Sequence, residues 1–195
     1  MNSFKNLIKE LDKLLKQHNL PNYKKLRVPL QSAKVDDYFK KLNISQEDLH
    51  LLYEWKDGWD INTPGFCSIM DFGSFISLES IITEIDYCSK NQFWPDTFIP
   101  IINDFSGSHI LFNNEQNSNY GKLYLHSPSL MFVEPVTYYD SVYSMIETTI
   151  AAYNEGIFVY DEAEDWLNID IPGFRRIGKR INKMSEYWNI EKHEW

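Results

Sequence analysis

Three residues in one short stretch carry the chemistry of a nucleophile, a base and an acid. In residues 98–112, FIPIINDFSGSHILF, they are Ser106, His109 and Asp104. A serine activated by a histidine that an aspartate orients would make an acyl-transfer site. Their closeness in sequence works against it. Around a tight turn the three side chains point different ways, and no G-x-S-x-G elbow is present. Turn chemistry accounts for the same residues. Asn103, Asp104 and Ser106 can hydrogen-bond nearby backbone, and Gly107 can take a positive φ. The stretch therefore reads as a turn between two buried strands, with Pro100 marking an edge strand or a bulge. No enzymatic activity is expected from it.

Other chemistries find less. The histidines, His18, His50, His109, His126 and His193, are scattered, and no H-E-x-x-H or calcium-loop spacing occurs. Cys67 and Cys88 form no C-x-x-C, which fits a reducing compartment. Phosphate-cradling glycine motifs are missing. No metal and no cofactor is expected.

Charge is strongly partitioned. The formal net charge of −9 combines +6 over residues 1–41, −18 over 42–174 and +3 over 175–195. Between Lys122 and Arg175 there is no basic side chain. A block this acidic repels nucleic acid and favours a basic partner by electrostatic steering, although acidity also serves solubility. The N-terminus is charged throughout, without the apolar core of a signal peptide. No run approaches the ~18 apolar residues of a membrane span. A cytoplasmic protein without a membrane partner is expected.

The elements follow from periodicity. Phe4, Leu7, Ile8, Leu11, Leu14 and Leu15 form one apolar stripe of a helix over 3–18, with lysines on its other face. A short helix follows Ser32. Another starts at Ser45, as N-cap with Asp48, and runs to Trp55 before the Gly58 turn. GFCSIM, SFISL, FIPII, HILFN, KLYLH and LMFVEP read as strands. Ser77 caps a helix carrying Leu78, Ile81, Ile82, Ile85 and Cys88. Asp140 or Ser141 caps another that Gly156 stops. The tail is less regular, with a helix beginning near Pro172. Short turns between strands argue for a mostly antiparallel sheet with helices packed on one side, an α+β fold.

This pattern resembles the SMI1/KNR4 (SUKH) superfamily. The likeness is carried by LHLLYEWKDG, SIMDFGSFISLESIITEI, FIPIINDFSGSHILFN and VTYYDSVYSMIETTIAAYNEG, which together span about residues 33–156. The resemblance implies a SMI1/KNR4-like domain over 31–158. The family does not explain the two ends, which are expected to be an N-terminal helical extension (1–30) packed on the core and a C-terminal extension (159–195) of the same globule. The resemblance also implies protein recognition without catalysis. Bacterial members are largely immunity proteins that neutralise a toxin, and a basic nuclease is one candidate partner. Fungal members are scaffolds regulating cell-wall synthesis, the alternative role.

Two sets couple carboxylates to tryptophan, as an interface hot spot would. The first is Trp55, Asp57, Trp59 and Asp60; the second is Asp161, Glu162, Glu164, Asp165 and Trp166. The competing reading is that each Trp is core and each acid merely solvated.

Overall fold

The structure is a computed structural model that describes residues 3–60, 68–91, 93–164 and 166–190. Helix α1 (Phe4–Gln17) buries Phe4, Leu7, Ile8, Leu11 and Leu15, the stripe that its spacing requires. Pro21 then opens a five-residue helix, α2 (Pro21–Lys25). Helix α3 (Ser32–Leu42) buries Val35 and Phe39 and ends on Asn43 in the left-handed region. Helix α4 (Glu47–Trp55) begins one residue later than its cap pattern suggested. Its cap is Gln46, whose side chain accepts from the Leu49 N–H. Ser45 is instead held from outside, its N–H donating to the Tyr120 hydroxyl at 3.1 Å.

Strands β1 (Ser74–Phe75), β2 (Phe98–Asn103), β3 (His109–Asn113), β4 (Leu123–Ser127) and β5 (Phe132–Tyr139) form one sheet in sequence order, every pair antiparallel. This is the antiparallel α+β architecture expected. Of the first strand pair, residues 65–67 lie outside the described residues, and Ser68–Met70 is buried but not a strand. The register shifts between Pro100 and Ile102, so the proline marks a bulge. Helix α5 (Leu78–Asn91) joins β1 to β2, and Ser77 caps it by accepting from the Ser80 N–H at 3.1 Å.

Alternation along β3 puts Ile110 and Phe112 on one face and His109 and Leu111 on the other. The first face meets the main core, which runs without a break from α1 to the C-terminal helices. On the second face Leu111 packs with Cys88 of α5 and with Trp94, a small separate core. His109 stands directly opposite His126 of β4, so both imidazoles share that second face.

Helix α6 (Val142–Asn154) starts at a reciprocal Ser141–Ser144 capping box. Beyond it the supposedly irregular tail is ordered. Strands β6 (Phe158–Asp161) and β7 (Trp166–Ile169) make a two-stranded ribbon, followed by α7 (Ile171–Ile181) and α8 (Glu186–Asn189). Phe158, Phe174, Tyr187 and Trp188 pack this tail into the main core. The basic termini also fold onto the acidic block. Arg27 pairs with Asp57 and Glu79, each at 3.2 Å, and Arg180 with Glu155 at 2.5 Å. Among the described residues no helix is long and apolar enough to cross a membrane.

Candidate functional site

The turn after β2 separates the three residues that could have formed a triad. Asp104 Oδ1 accepts from the Ser106 and Ser108 N–H groups, both at 2.8 Å, and Oδ2 accepts from the Ser106 hydroxyl at 2.6 Å. Both side chains are thus engaged in holding the turn. Gly107, with φ near 100°, completes it. His109 lies past the turn, where its Nε2 meets Glu84 Oε1 at 2.9 Å. Serine, aspartate and histidine do not converge.

What His109 does enter is a cavity of about 580 Å³ on the second face of the sheet. Its polar lining is Glu84, Asn103, His109 and His126, and its apolar lining includes Tyr87, Phe93, Phe105 and Val133. Those four apolar side chains are all exposed. A polar set converging beneath an apolar rim is the usual anatomy of a binding cavity.

The polar groups are tightly connected. Glu84 Oε1 accepts from Asn103 Nδ2 at 3.1 Å and lies 3.8 Å from Cys88 Sγ. Glu84 and Cys88 are four residues apart on α5 and so share one helix face. Trp94 sets its ring against both imidazoles, with centroid separations of 4.8 Å to His109 and 5.0 Å to His126. The Nδ1 atoms of both histidines are buried without a hydrogen-bond partner among the described residues. Burial, with the Glu84 carboxylate beside it, pushes the Cys88 thiol up to about 12. Burial, and then the neighbouring His109, pushes His126 below the usual histidine range.

The two tryptophan–carboxylate sets divide. In the first, Asp57 is only 2% exposed and Trp59 5% exposed. Asp57 pairs with Arg27 and accepts from the Leu78 N–H at 3.1 Å, fixing the start of α5. Trp55 is partly buried and donates from Nε1 to Asp12 at 2.9 Å. Asp60 is half-buried. This set is a seam between elements rather than the partner-facing patch expected of it, because an aspartate with an internal arginine and an amide gains nothing by facing water.

The second set faces out. Across the ribbon Asp161 pairs with Trp166 and Val159 with Asn168, so these four side chains share its outer face. Trp166 is 52% and Val159 56% exposed. Glu162 and Glu164 are exposed in the connecting turn. Asp165 lies outside the described residues. Among the described residues Asp161, Glu162 and Glu164 form no ion pair.

Neither protein-family models nor curated proteins give a match to this chain.

Glu84 was missed because sequence periodicity credits only apolar positions, and Cys88 was credited only as one of those apolar positions. The available signal was a carboxylate within the buried stripe of α5, between Ile81 and Cys88. A charge placed there needs partners, and they come from β2 and β3.

A second cleft, of about 430 Å³, lies between β5 and the C-terminal helices and is lined by Asp71, Tyr138 and Tyr187 among others. Tyr138 and Tyr139 donate to the two Asp71 oxygens at 2.7 and 2.5 Å. Burial outweighs these bonds and raises the Asp71 carboxyl to about 6. The folded chain therefore holds this proton more tightly than the unfolded chain does. The resulting stability is present at low pH and is lost as pH rises from about 4 to about 6. The shift corresponds to at most about 3 kcal/mol, less because Asp71 is partly open to the cleft. Urea unfolding at pH 4.5 and 7 is expected to favour wild type over Asp71→Asn more at the lower pH, by about 1–2 kcal/mol. A difference that does not change with pH would contradict this assignment.

Proposed function

We propose that the chain is a protein-recognition module, and that it serves as an immunity protein neutralising a cognate toxin, with a basic nuclease as the leading candidate. It works by binding, without turnover. The observation that carries this reading is the outer face of the β6–β7 ribbon. There Trp166 and Val159 stand exposed beside Asp161, with Glu162 and Glu164 exposed at the tip. A large amphipathic ring beside exposed carboxylates suits a partner with a basic groove. Such a groove is what an enzyme that grips phosphates must have. The immunity role rests on the sequence resemblance.

The test uses the product of the gene directly upstream of this one, expected to be the toxin under this reading. Association is measured at low and high salt, for wild type and for Asp161→Asn/Glu162→Gln/Glu164→Gln. Steering predicts an association rate that falls roughly tenfold or more with added salt, and a variant that is slower and nearly salt-independent. Trp166→Ala should act on dissociation, accelerating it about 30-fold if the ring is a hot spot. A salt-indifferent association rate, together with full protection of cells by both variants, would remove the ribbon from the interface.

A further inference from the structure

On the second sheet face, where Glu84 and His109 line the cavity and Cys88 packs beside Glu84, three different metal-ligand chemistries lie at short range. Glu84, Cys88 and His109 are all buried, and one ligand atom from each lies within 4.8 Å of the other two. We propose that these residues form a binding site for a zinc-class divalent transition-metal ion, held by one carboxylate oxygen, one thiolate sulfur and one imidazole nitrogen.

Distance is the first argument. A tetrahedral zinc centre has ligand bonds of about 2.0–2.3 Å, which places its donors about 3.3–3.8 Å apart. Here imidazole and carboxylate are 2.9 Å apart, and thiol and carboxylate 3.8 Å. The third pair, thiol and imidazole, lies within 4.8 Å, so side-chain shifts of up to about an ångström would bring all three donors onto the ion. The donor set is the second argument. Sulfur with nitrogen selects zinc-like ions over magnesium or calcium, which take oxygen ligands alone. Charge is the third. One carboxylate and one thiolate neutralise a dication, so the buried site carries no net charge.

The proton balance is simple. Binding displaces the thiol proton of Cys88 to solvent, and the hydrogen that lies between His109 Nε2 and Glu84 must leave that contact for His109 Nδ1 or for solvent. His109 Nδ1 is buried with no hydrogen-bond partner among the described residues. Around the ligands, Asn103 fixes Glu84 and Trp94 packs against the imidazole. His126, opposite His109 and with its own unpartnered Nδ1, is the further nitrogen donor on this face, at a ring separation of 6.5 Å. The cavity supplies the entry path and room for a solvent or guest ligand.

A purely structural network would also use Asn103 and His109 to satisfy Glu84. It has no need of a thiol, however, and that difference makes the proposal testable. The full chain, freed of metal with a chelator, is titrated with Co²⁺ alone and then with competing Zn²⁺. Expected are one equivalent bound, a thiolate-to-cobalt charge-transfer band that Zn²⁺ abolishes, and a higher melting temperature with Zn²⁺. Cys88→Ser should lose the band while keeping the wild-type circular dichroism and melting behaviour without metal. Cys67→Ser should keep the band. His109→Gln should weaken affinity at least 10- to 100-fold, the loss typical of removing even an outer-shell partner. No band in wild type, or a band that survives Cys88→Ser, overturns the site.

Discussion

Gly58→Ala is expected to destabilise the chain by about 3 kcal/mol or more, lowering its melting temperature by roughly 6–12 °C. Two costs combine at this one position. Gly58 has φ near 67°, which an L side chain adopts at a cost of about 1–2 kcal/mol. A Cβ there would also stand 2.5 Å from the Ile76 carbonyl carbon and 2.8 Å from the Phe75 oxygen. Both are backbone atoms, so no side-chain rotation relieves the clash. The neighbouring bonds depend on this approach. Arg27 N–H donates to the Gly58 oxygen at 2.8 Å, and Trp59 N–H to the Phe75 oxygen at 2.6 Å. The same loop sets Asp57 against Arg27 and the start of α5. Gly107→Ala is the control. It has a positive φ but nothing within 4 Å of its Cβ position, so only the conformational cost of about 1–2 kcal/mol applies. Equal losses at the two positions, measured by denaturant unfolding, would show that the close approach at Gly58 is not real.

Trp188→Ala is expected to cost about 3–5 kcal/mol, the range for emptying a buried tryptophan site. The ring is buried at 3% exposure and donates from Nε1 to the Tyr138 oxygen at 2.5 Å. It packs against Tyr138, Phe174 and Tyr187, with centroids 4.7, 5.5 and 4.7 Å away. Gly178 of α7 accommodates it, since a Cβ there would come within 2.6 Å of the indole. This one side chain therefore ties α7 and α8 to β5. Calorimetry should show the loss as a lower melting temperature. Limited proteolysis should show cleavage moving into residues 158–190 in the variant. Wild-type stability and wild-type cleavage would mean that the tail does not pack as described.

The helices with a clean stripe were legible from residue order. Burial of Phe4, Leu7, Ile8, Leu11 and Leu15 follows from 3.6-residue spacing, and the spacing places them whatever they pack against. Capping at Ser77 and Ser141 is equally local, because the bond reaches only to the next turn. The ribbon was not legible. Phe158 to Asp161 and Trp166 to Ile169 are four residues each, too short for a periodic signal, and their order comes from Phe158 and Leu167 meeting the core. The two tryptophan–carboxylate sets looked alike as sequence, yet Asp57 is internal and Asp161 borders solvent. Only a distant partner separates them: Arg27, thirty positions away, neutralises Asp57.

By itself, then, the order of residues determined the α+β class, the helix stripes, the cap at Ser77 and the turn at Asp104–Gly107, since each depends on contacts within a few positions along the chain. The tertiary structure alone decided which carboxylates are buried, that His109 turns from Asp104 to Glu84, and that Cys88 and His126 share its face. Those outcomes depend on strand register and on how α5 lies across the sheet. Contacts between positions about 17 to 25 residues apart are set by packing of the whole core and leave no spacing for local periodicity to detect.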